Sequence, residues 1–313
     1  MEGINCIFCG TGSDRVVIEE NGFFGRKCPE CGLIYLSPRP SAAEIRDLYA
    51  DDMAHRPAAA HISGTFQKRL YARHNLRIIE RYVNHGTLLE IGAGGGYFLD
   101  EARKEGFDVY GIELNSIQAD FIRGVLSIPC EESPLSSSSF AGKKFDIVYH
   151  CDVVSHFYDP IEEFRNMNNA LNKNGIIAFE TGNLGDIKEK YFKLHTSFQY
   201  PDHLFFFGET SLTELLRMTG FQPLRIHRYS ILVQRWFEKL LEGCLQTYRR
   251  SERENISEDR NLPCVRTSRF NRKQMLRNAY HYFFYLVRYR IGAIMPKKGR
   301  PQTIFIIGRK SND

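Results

Sequence analysis

Two groups of residues have the types and spacing to do chemistry. Cys6 and Cys9 are separated by two residues, as are Cys28 and Cys31, and 18 residues lie between the pairs. Each C-x-x-C turn aims two sulfurs at one ion, and a glycine after the second cysteine (Gly10, Gly32) permits the tight knuckle. Four buried free thiols would not need this paired spacing. Four thiolates close a tetrahedral shell, so the predicted metal is a structural zinc with no open position for catalysis. The second group is LLEIGAGGGYFL, residues 88–99, where an apolar run carrying Glu90 meets Gly92, Gly94, Gly95 and Gly96. Such a loop cradles a dinucleotide pyrophosphate, holds another adenosine cofactor, or is a flexible turn. Glu113, 21 residues after Gly92, ends the next apolar run, where a carboxylate accepts both hydroxyls of an adenosine ribose. The dinucleotide fingerprint G-x-G-x-x-G/A puts Tyr97 where the helix–strand contact needs a small residue. That leaves an adenosine cofactor of another kind.

The elements that must position these residues follow from periodicity. RVVIEENGFFGRK reads as a hairpin turning at Asn21-Gly22, which with the two knuckles makes a zinc ribbon. A short helix starts near Ser41, and residues 61–84 carry Phe66, Leu70, Leu76, Ile79 and Val83 at the spacing of one long helix. Strands and helices then alternate: TLLEIG, YFLDEARKEG, DVYGIEL, SIQADFIRGV, a short strand near SIPC, FDIVYHCDVV, IEEFRNMNNAL and GIIAFETG. SLTELLRMTG is a further helix, and FQPLRIHRYS and PQTIFIIGRK are strands. Gly106, Asn174-Gly175 and Gly220 are the predicted helix stops. Alternation of this kind predicts an α/β, Rossmann-like, mostly parallel sheet with helices on both faces. The expected organisation is a zinc ribbon at 1–40, a helical cap at 41–84, a cofactor-binding core at 85–231 plus 300–313, and a helical basic insertion at 232–299.

The whole E-x-G-x-G-x-G pattern, with Glu90 on the strand and Glu113 after the next, resembles the class I S-adenosylmethionine-dependent methyltransferases. FDIVYHCDVVSHFYDP resembles that family's fourth strand and turn, with Ser155-His156-Phe157 in place of the usual Glu-His-Leu and Asp159-Pro160 matching. The order of pieces is similar through residue 223, and a zinc ribbon ahead of this core recurs in the subgroup containing deoxysugar C-methyltransferases. The resemblance implies a methyltransferase fold whose last strand runs antiparallel, and S-adenosylmethionine held by Glu90, Gly92, Gly94, Gly96, Glu113 and Leu114. Tyr97 either lines the methionine end or packs as an ordinary aromatic. Asp152 is placed to contact the methionine amino group, and Glu131 is within reach of the adenine amine.

Methyl transfer is an in-line displacement in which hydroxyl or carbon nucleophiles must lose a proton, and histidine suits that task. The related sugar C-methyltransferases carry Tyr, one residue, then Glu-His; here Tyr200-Pro201-Asp202-His203 keeps the Tyr and His and shortens the acid. His203 is the first candidate base, oriented by Asp202 or Tyr200, and His156 the second. Either histidine is otherwise a satisfied structural residue.

The chain has 313 residues with 42% hydrophobic and 25% charged, the balance of a globular protein. Apolar runs fall short of the roughly 18 residues of a membrane span, and MEGINCIFCG lacks a signal-peptide pattern, so a cytoplasmic protein is expected. Residues 231–313 hold 18 Lys and Arg against 7 Asp and Glu, so this end is strongly basic while the rest is mildly acidic. A basic end attracts phosphates, acidic lipid or nucleic acid, or is simply a solvated surface. The favoured acceptor is a small molecule, sugar or glycan. The rivals are an RNA or DNA acceptor gripped by the ribbon and by RNAYHYFFYLVRYR, a non-catalytic scaffold, and peripheral membrane contact through 273–298. Tyr282, Phe283, Phe284, Leu286 and Tyr289 either stack on bases or form one buried helix face. The N/D-P-P-Y/F tetrapeptide of amino-group nucleic-acid methylases is absent.

Overall fold

The computed structural model describes residues 1–50, 58–63, 65–140, 142–195, 197–240 and 272–311. Cys244, Cys264 and the polar stretch RRSERENISEDRN lie outside them.

The ribbon begins with β1 (Val16–Glu20) and β2 (Phe23–Lys27), joined at Asn21 and Gly22. Both turn residues have positive φ, 54° and 78°, as a tight two-residue hairpin requires. β3 (Ile34–Leu36) pairs with β2, and its three residues are fully buried. After β3, Ser41 and Glu44 cap α1 (Ala42–Ala50) reciprocally. The expected long helix is two: α2 (Ala58–Ile62) and α3 (Thr65–Ile79). The sequence has Ser63-Gly64 between them, poor helix-forming residues that the apolar spacing masked.

The main sheet has seven strands. Four parallel strands form its centre: β4 (Thr87–Ile91), β5 (Asp108–Ile112), β7 (Phe145–Cys151) and β8 (Leu171–Gly182). β6 (Cys130–Glu131) extends the β5 edge. β10 (Phe221–Ser230) and β11 (Gln302–Lys310) complete the other side, with β11 antiparallel to both β8 and β10. The order is β10-β11-β8-β7-β4-β5-β6. The chain therefore reverses direction of growth at β4, the place where open α/β sheets bind ligands beyond their carboxyl ends.

Helices α4 (Tyr97–Lys104), α5 (Ser116–Gly124), α6 (Pro160–Ala170) and α7 (Glu209–Met218) connect these strands. Asn115 caps α5 through Gln118 N at 3.1 Å, and Asp159, followed by Pro160, caps α6. Asn174-Gly175 does not stop a helix, because α6 already ends at Ala170; Asn174 instead takes a positive φ of 66° within β8.

Two features were not expected. β9 (Phe205–Phe206) leaves the core chain and pairs with β3, giving the ribbon sheet the order β1-β2-β3-β9. And the insertion, α8 (Leu232–Leu240) and α9 (Arg272–Leu286), does not bury the single aromatic face that its spacing offered. Phe284 and Tyr289 are buried, but Tyr282 and Phe283 remain 48% and 47% exposed, and Tyr285 packs inward instead. After Leu286 the helix passes into a π turn, Val287–Ile291, which rotates the residues that follow. Tyr285 and Tyr289 then close on His74 of α3 and Tyr229 of β10, with the His74 and Tyr289 rings stacked 3.7 Å apart.

Candidate active site at the carboxyl ends of the central strands

The glycine loop turns sharply out of β4. Gly92, Gly94 and Gly96 have φ of 70°, 56° and 68°, values disfavoured for side-chain-bearing residues. A methyl at Gly92 would lie 2.6 Å from Val153 Cγ2, and one at Gly95 would lie 2.6 Å from the His61 carbonyl oxygen. The loop is thus walled by the turn after β7 on one side and by α2 on the other. The Tyr97 phenol donates to the Ile62 carbonyl, and its ring is buried against Phe121. Tyr97 anchors α2 over the loop as a packed aromatic.

Beyond β5, the Glu113 carboxylate accepts from Gly94 N at 2.7 Å and Asn115 N at 2.9 Å. It is drawn across the loop mouth, where a ribose would meet it. Leu114 beside it is 44% exposed, an apolar surface facing solvent at the edge of this mouth. Glu90 is buried, and its Oε2 has no hydrogen-bond partner among the described residues. Burial first, and repulsion from Glu113 second, push its pKa well above the ordinary carboxylate range. A buried acceptor without a donor, beside a glycine loop, fits the amine or hydroxyl of an adenosine cofactor. Glu131 accepts a hydrogen bond from the Ser139 hydroxyl at 2.5 Å.

At the end of β7, Asp152 adopts a positive φ of 54°, rare for a non-glycine residue and common where backbone strain serves a site. It is solvent-accessible, yet the protein crowds it enough to raise its pKa by desolvation, against the pull of Arg288 and His156. That combination describes a carboxylate in a cleft. The next turn carries His156, whose Nδ1 lies 3.0 Å from Asp202 Oδ1. Burial alone would lower the His156 pKa; the Asp202 carboxylate outweighs it and lifts the value above the ordinary histidine range. The His203 ring stands edge-on to His156 with centroids 4.5 Å apart. Nitrogen and oxygen atoms of His156, Asp202 and His203 all lie within 4.8 Å of one another.

Two loops distant in sequence are clasped to bring this trio together. Leu204 N donates to Ser155 O at 2.8 Å, and Leu36 N of the ribbon donates to Leu204 O at 2.9 Å. Tyr200 does not join the histidines. It is 3% exposed and packs into the ribbon, where a methyl on Gly25 would overlap its hydroxyl at 2.1 Å. Its buried hydroxyl has no hydrogen-bond partner among the described residues. Tyr200 positions the segment that carries Asp202 and His203.

In the ribbon, Cys6 Sγ lies 3.5 Å from Cys31 Sγ and Cys9 Sγ lies 3.5 Å from Cys28 Sγ, with all four sulfurs within 4.8 Å. Tetrahedral zinc with bonds of about 2.3 Å needs sulfurs about 3.8 Å apart, so the four fit such an ion with small adjustments.

The sequence reading missed a buried polar cluster one strand further out. Glu180 of β8 accepts from Asn75 Nδ2 at 2.8 Å and from the Tyr289 hydroxyl at 3.2 Å, and Asn75 also donates to the Tyr149 hydroxyl at 3.0 Å. Burial raises the Glu180 pKa to about 7, partly offset by Arg288. A charged residue inside GIIAFETG was the available signal, since a parallel strand of a two-sided sheet is otherwise apolar.

These features define a Rossmann-like fold with the glycine loop and flanking acids of the class I methyltransferases. Residues 64–226, just over half the chain, match the methyltransferase domain family, and the chain belongs to it. Among curated proteins it is similar to the tRNA U34 carboxymethyltransferase of Campylobacter jejuni, 27% identical over 115 residues, covering 34% of this chain and 39% of that protein. It is also similar to the ubiquinone biosynthesis O-methyltransferase of Histophilus somni, 26% identical over 121 residues, covering 34% of this chain and 51% of that protein. The matches thus span about two fifths to half of these relatives. Among solved structures, the cyclopropane synthase MmaA2 of Mycobacterium tuberculosis aligns with a TM-score of 0.50 at 14% identity, covering 77% of this chain and 84% of that one. That likeness is one of fold. No helix among the described residues is long and apolar enough to cross a membrane.

The burial of Tyr200 gives a direct test of its role. Tyr200→Phe removes an unpaired buried hydroxyl, so stability in urea should stay level or rise by about 1 kcal/mol. Turnover should stay within a few-fold of wild type, whereas a catalytic phenol would show a loss of roughly a hundredfold or more.

Proposed function

We propose that the chain methylates a small-molecule, sugar or glycan-like acceptor bound in the cleft beyond β7 and β8, at an oxygen, nitrogen or carbon atom. The observation that supports this reading best is the His156–Asp202 contact beside the glycine loop. S-adenosylmethionine, when bound, supplies an electrophilic methyl group. In this reading Glu113 holds the ribose hydroxyls, and the backbone of Gly92, Gly94 and Gly96 lies along the cofactor. Leu114 lies against the adenine, and Glu90 and Asp152 accept from the methionine end. Asp202 holds His156 with Nδ1 protonated, which makes Nε2 the basic nitrogen that takes the acceptor proton. His203, edge-on to that ring, borders the acceptor, and α2 with the ribbon excludes water. Cys6, Cys9, Cys28 and Cys31 hold a structural zinc, in line with the sulfur spacing.

A second reading, an RNA acceptor, draws on the relatives named for action on tRNA and on the exposed basic residues Arg272, Arg290 and Lys298. Binding to a labelled RNA with a steep salt dependence would favour it over the small acceptor.

Calorimetric titration with S-adenosylhomocysteine tests the cofactor site. Wild type should bind one equivalent, and Glu113→Ala should weaken binding by roughly tenfold to a hundredfold, the worth of hydrogen bonds to a charged group. Absence of binding in zinc-loaded wild type would end the enzyme reading.

The pH profile tests the base. A base must be neutral to act, so the rate should rise with pH through a midpoint above 6.5, because Asp202 raises the His156 pKa. In Asp202→Asn the lifting charge is gone while burial still lowers the pKa. The midpoint should then move down, and the plateau should fall roughly tenfold to a hundredfold. An unchanged profile would remove His156 from this role.

Metal analysis should find one zinc per chain, and Cys28→Ser should lose it. Chelation should leave S-adenosylhomocysteine binding largely intact while abolishing turnover, since the ribbon holds the segment bearing Asp202 and His203. Full activity in a zinc-free chain would contradict that arrangement.

A further inference from the structure

Among the described residues of the basic insertion, Arg288 is turned toward the carboxylates of Glu180 and Asp152. It sits in the π turn Val287–Ile291, a local widening of the helix that re-aims side chains and recurs at functional sites. Its side chain is 18% exposed. The guanidinium carbon lies 4.9 Å from the Tyr71 ring centroid and 5.9 Å from that of Tyr289, so aromatic faces fix the plane of the group. Nε donates to Gln234 Oε1 at 3.2 Å.

The carboxylate it faces does not close on it. Arg288 Nη1 is 3.7 Å from Glu180 Oε1, beyond hydrogen-bond distance, while Asn75 and Tyr289 already engage Glu180. Other arginines with a long ion pair have a terminal nitrogen bonded elsewhere: Arg26 stands 3.7 Å from Asp14 but donates to the Ser13 carbonyl at 3.1 Å, and Arg123 stands 3.6 Å from Glu132 but meets Asp120 at 2.6 Å. Arg288 is therefore held by its ring contacts and its Nε. Its two terminal nitrogens, four N–H donors in a planar fork, make no hydrogen bond among the described residues. A fork presented this way matches the two oxygens of a carboxylate or phosphate.

Strand order says which molecule would bring that group. The ribose-binding position lies at β5, the glycine loop at β4 and Asp152 at β7. Glu180, opposite Arg288, is on β8, one strand further from the ribose. We infer that Arg288 recognises an acidic group, a carboxylate or phosphate, on the acceptor, so that the enzyme selects anionic acceptors. This inference rests on the methyl-transfer reading of the same cleft.

The test is calorimetry on the full, zinc-loaded chain saturated with S-adenosylhomocysteine, with inorganic phosphate and acetate as separate probes. Wild type should bind at least one of them at a single site with millimolar affinity, and the preferred probe distinguishes phosphate from carboxylate. Arg288→Met should weaken that binding tenfold or more, while Arg290→Met, altering an exposed neighbour, should not. Glu180→Gln removes the competing negative charge but keeps a hydrogen-bonding side chain, so it should tighten binding several-fold; this variant decides the matter should Arg288→Met fail to fold. Probe binding unchanged in both Arg288→Met and Glu180→Gln, or no saturable binding to wild type, would overturn the inference. So would a tenfold loss of S-adenosylhomocysteine affinity in Arg288→Met, which would assign the fork to the cofactor's own carboxylate. Wild type that fails to bind S-adenosylhomocysteine would instead overturn the cofactor reading.

Discussion

The carboxylate of Glu20, at the end of the first ribbon strand, accepts the backbone amides of Phe198 and Tyr200 at 3.0 and 2.9 Å. Asn21, in the hairpin turn, donates to the Tyr200 carbonyl at 2.8 Å, and β3 pairs with Phe205 and Phe206. The arrangement of the candidate site depends on this junction. Residues 198–206 contain Asp202 and His203 but little regular structure of their own. Irregular backbone is costly to order unless its polar groups find partners, and here the ribbon supplies them. Burial tends to raise the Glu20 pKa, yet the amide hydrogen bonds hold it below the ordinary range, which shows that they outweigh the desolvation. The ribbon is thus bound, strand and side chain, to the segment that carries Asp202 and His203.

A second constraint fixes the insertion against the sheet. Asn75 of α3, Glu180 of β8 and Tyr289 of the insertion share one set of hydrogen bonds, and His74 stacks on Tyr289. A buried polar cluster of this kind is stable only when its members are jointly satisfied, so it fixes the insertion in one register against the sheet. The His74 pKa falls to about 3, first through burial and then through the nearby cations, so this ring stays neutral and serves as an aromatic hydrogen-bonding plug. The polar cluster gives the insertion a definite orientation that its apolar residues alone, several of them exposed, would not impose.

Much of the sheet was legible because each strand of the core carries a short apolar run between turn residues that have local physical reasons: Asn115 and Asp159 as caps, Gly106 and Gly220 at positive φ. The cysteine pairs and the acid–glycine loop were legible for the same reason, their chemistry being written in local spacing. What sequence could not disclose were contacts between segments far apart in the chain. β9 is two residues long and exists only because β3 offers an edge. Tyr200 lies beside His203 in sequence but packs into the ribbon, because the clasped backbone sends neighbouring side chains in opposite directions. The spacing of the insertion's aromatics leaves stacking on bases and one buried face equally open, and only packing against His74 and Tyr229 selects Tyr285 and Tyr289 for the interior.

Those two constraints together alter the meaning of the basic insertion. Counted along the sequence, its positive charge suggests a surface for phosphates or acidic lipid, because a charge count treats every Lys and Arg alike. In the fold they are not alike: Arg290 is exposed, while Arg288, two residues earlier, is largely buried beside Glu180 and Tyr71. Among the described residues, Lys239, Arg272, Arg290 and Lys298 are exposed, so these cations keep their hydration and contribute a diffuse, salt-screened field. The one that the π turn rotates inward sits in a low-dielectric cleft where a charge acts at close range and with direction. In the proposed reading selectivity for an acceptor depends on that second kind of charge, which gives the position of the helical irregularity more weight than the net charge of the segment that contains it.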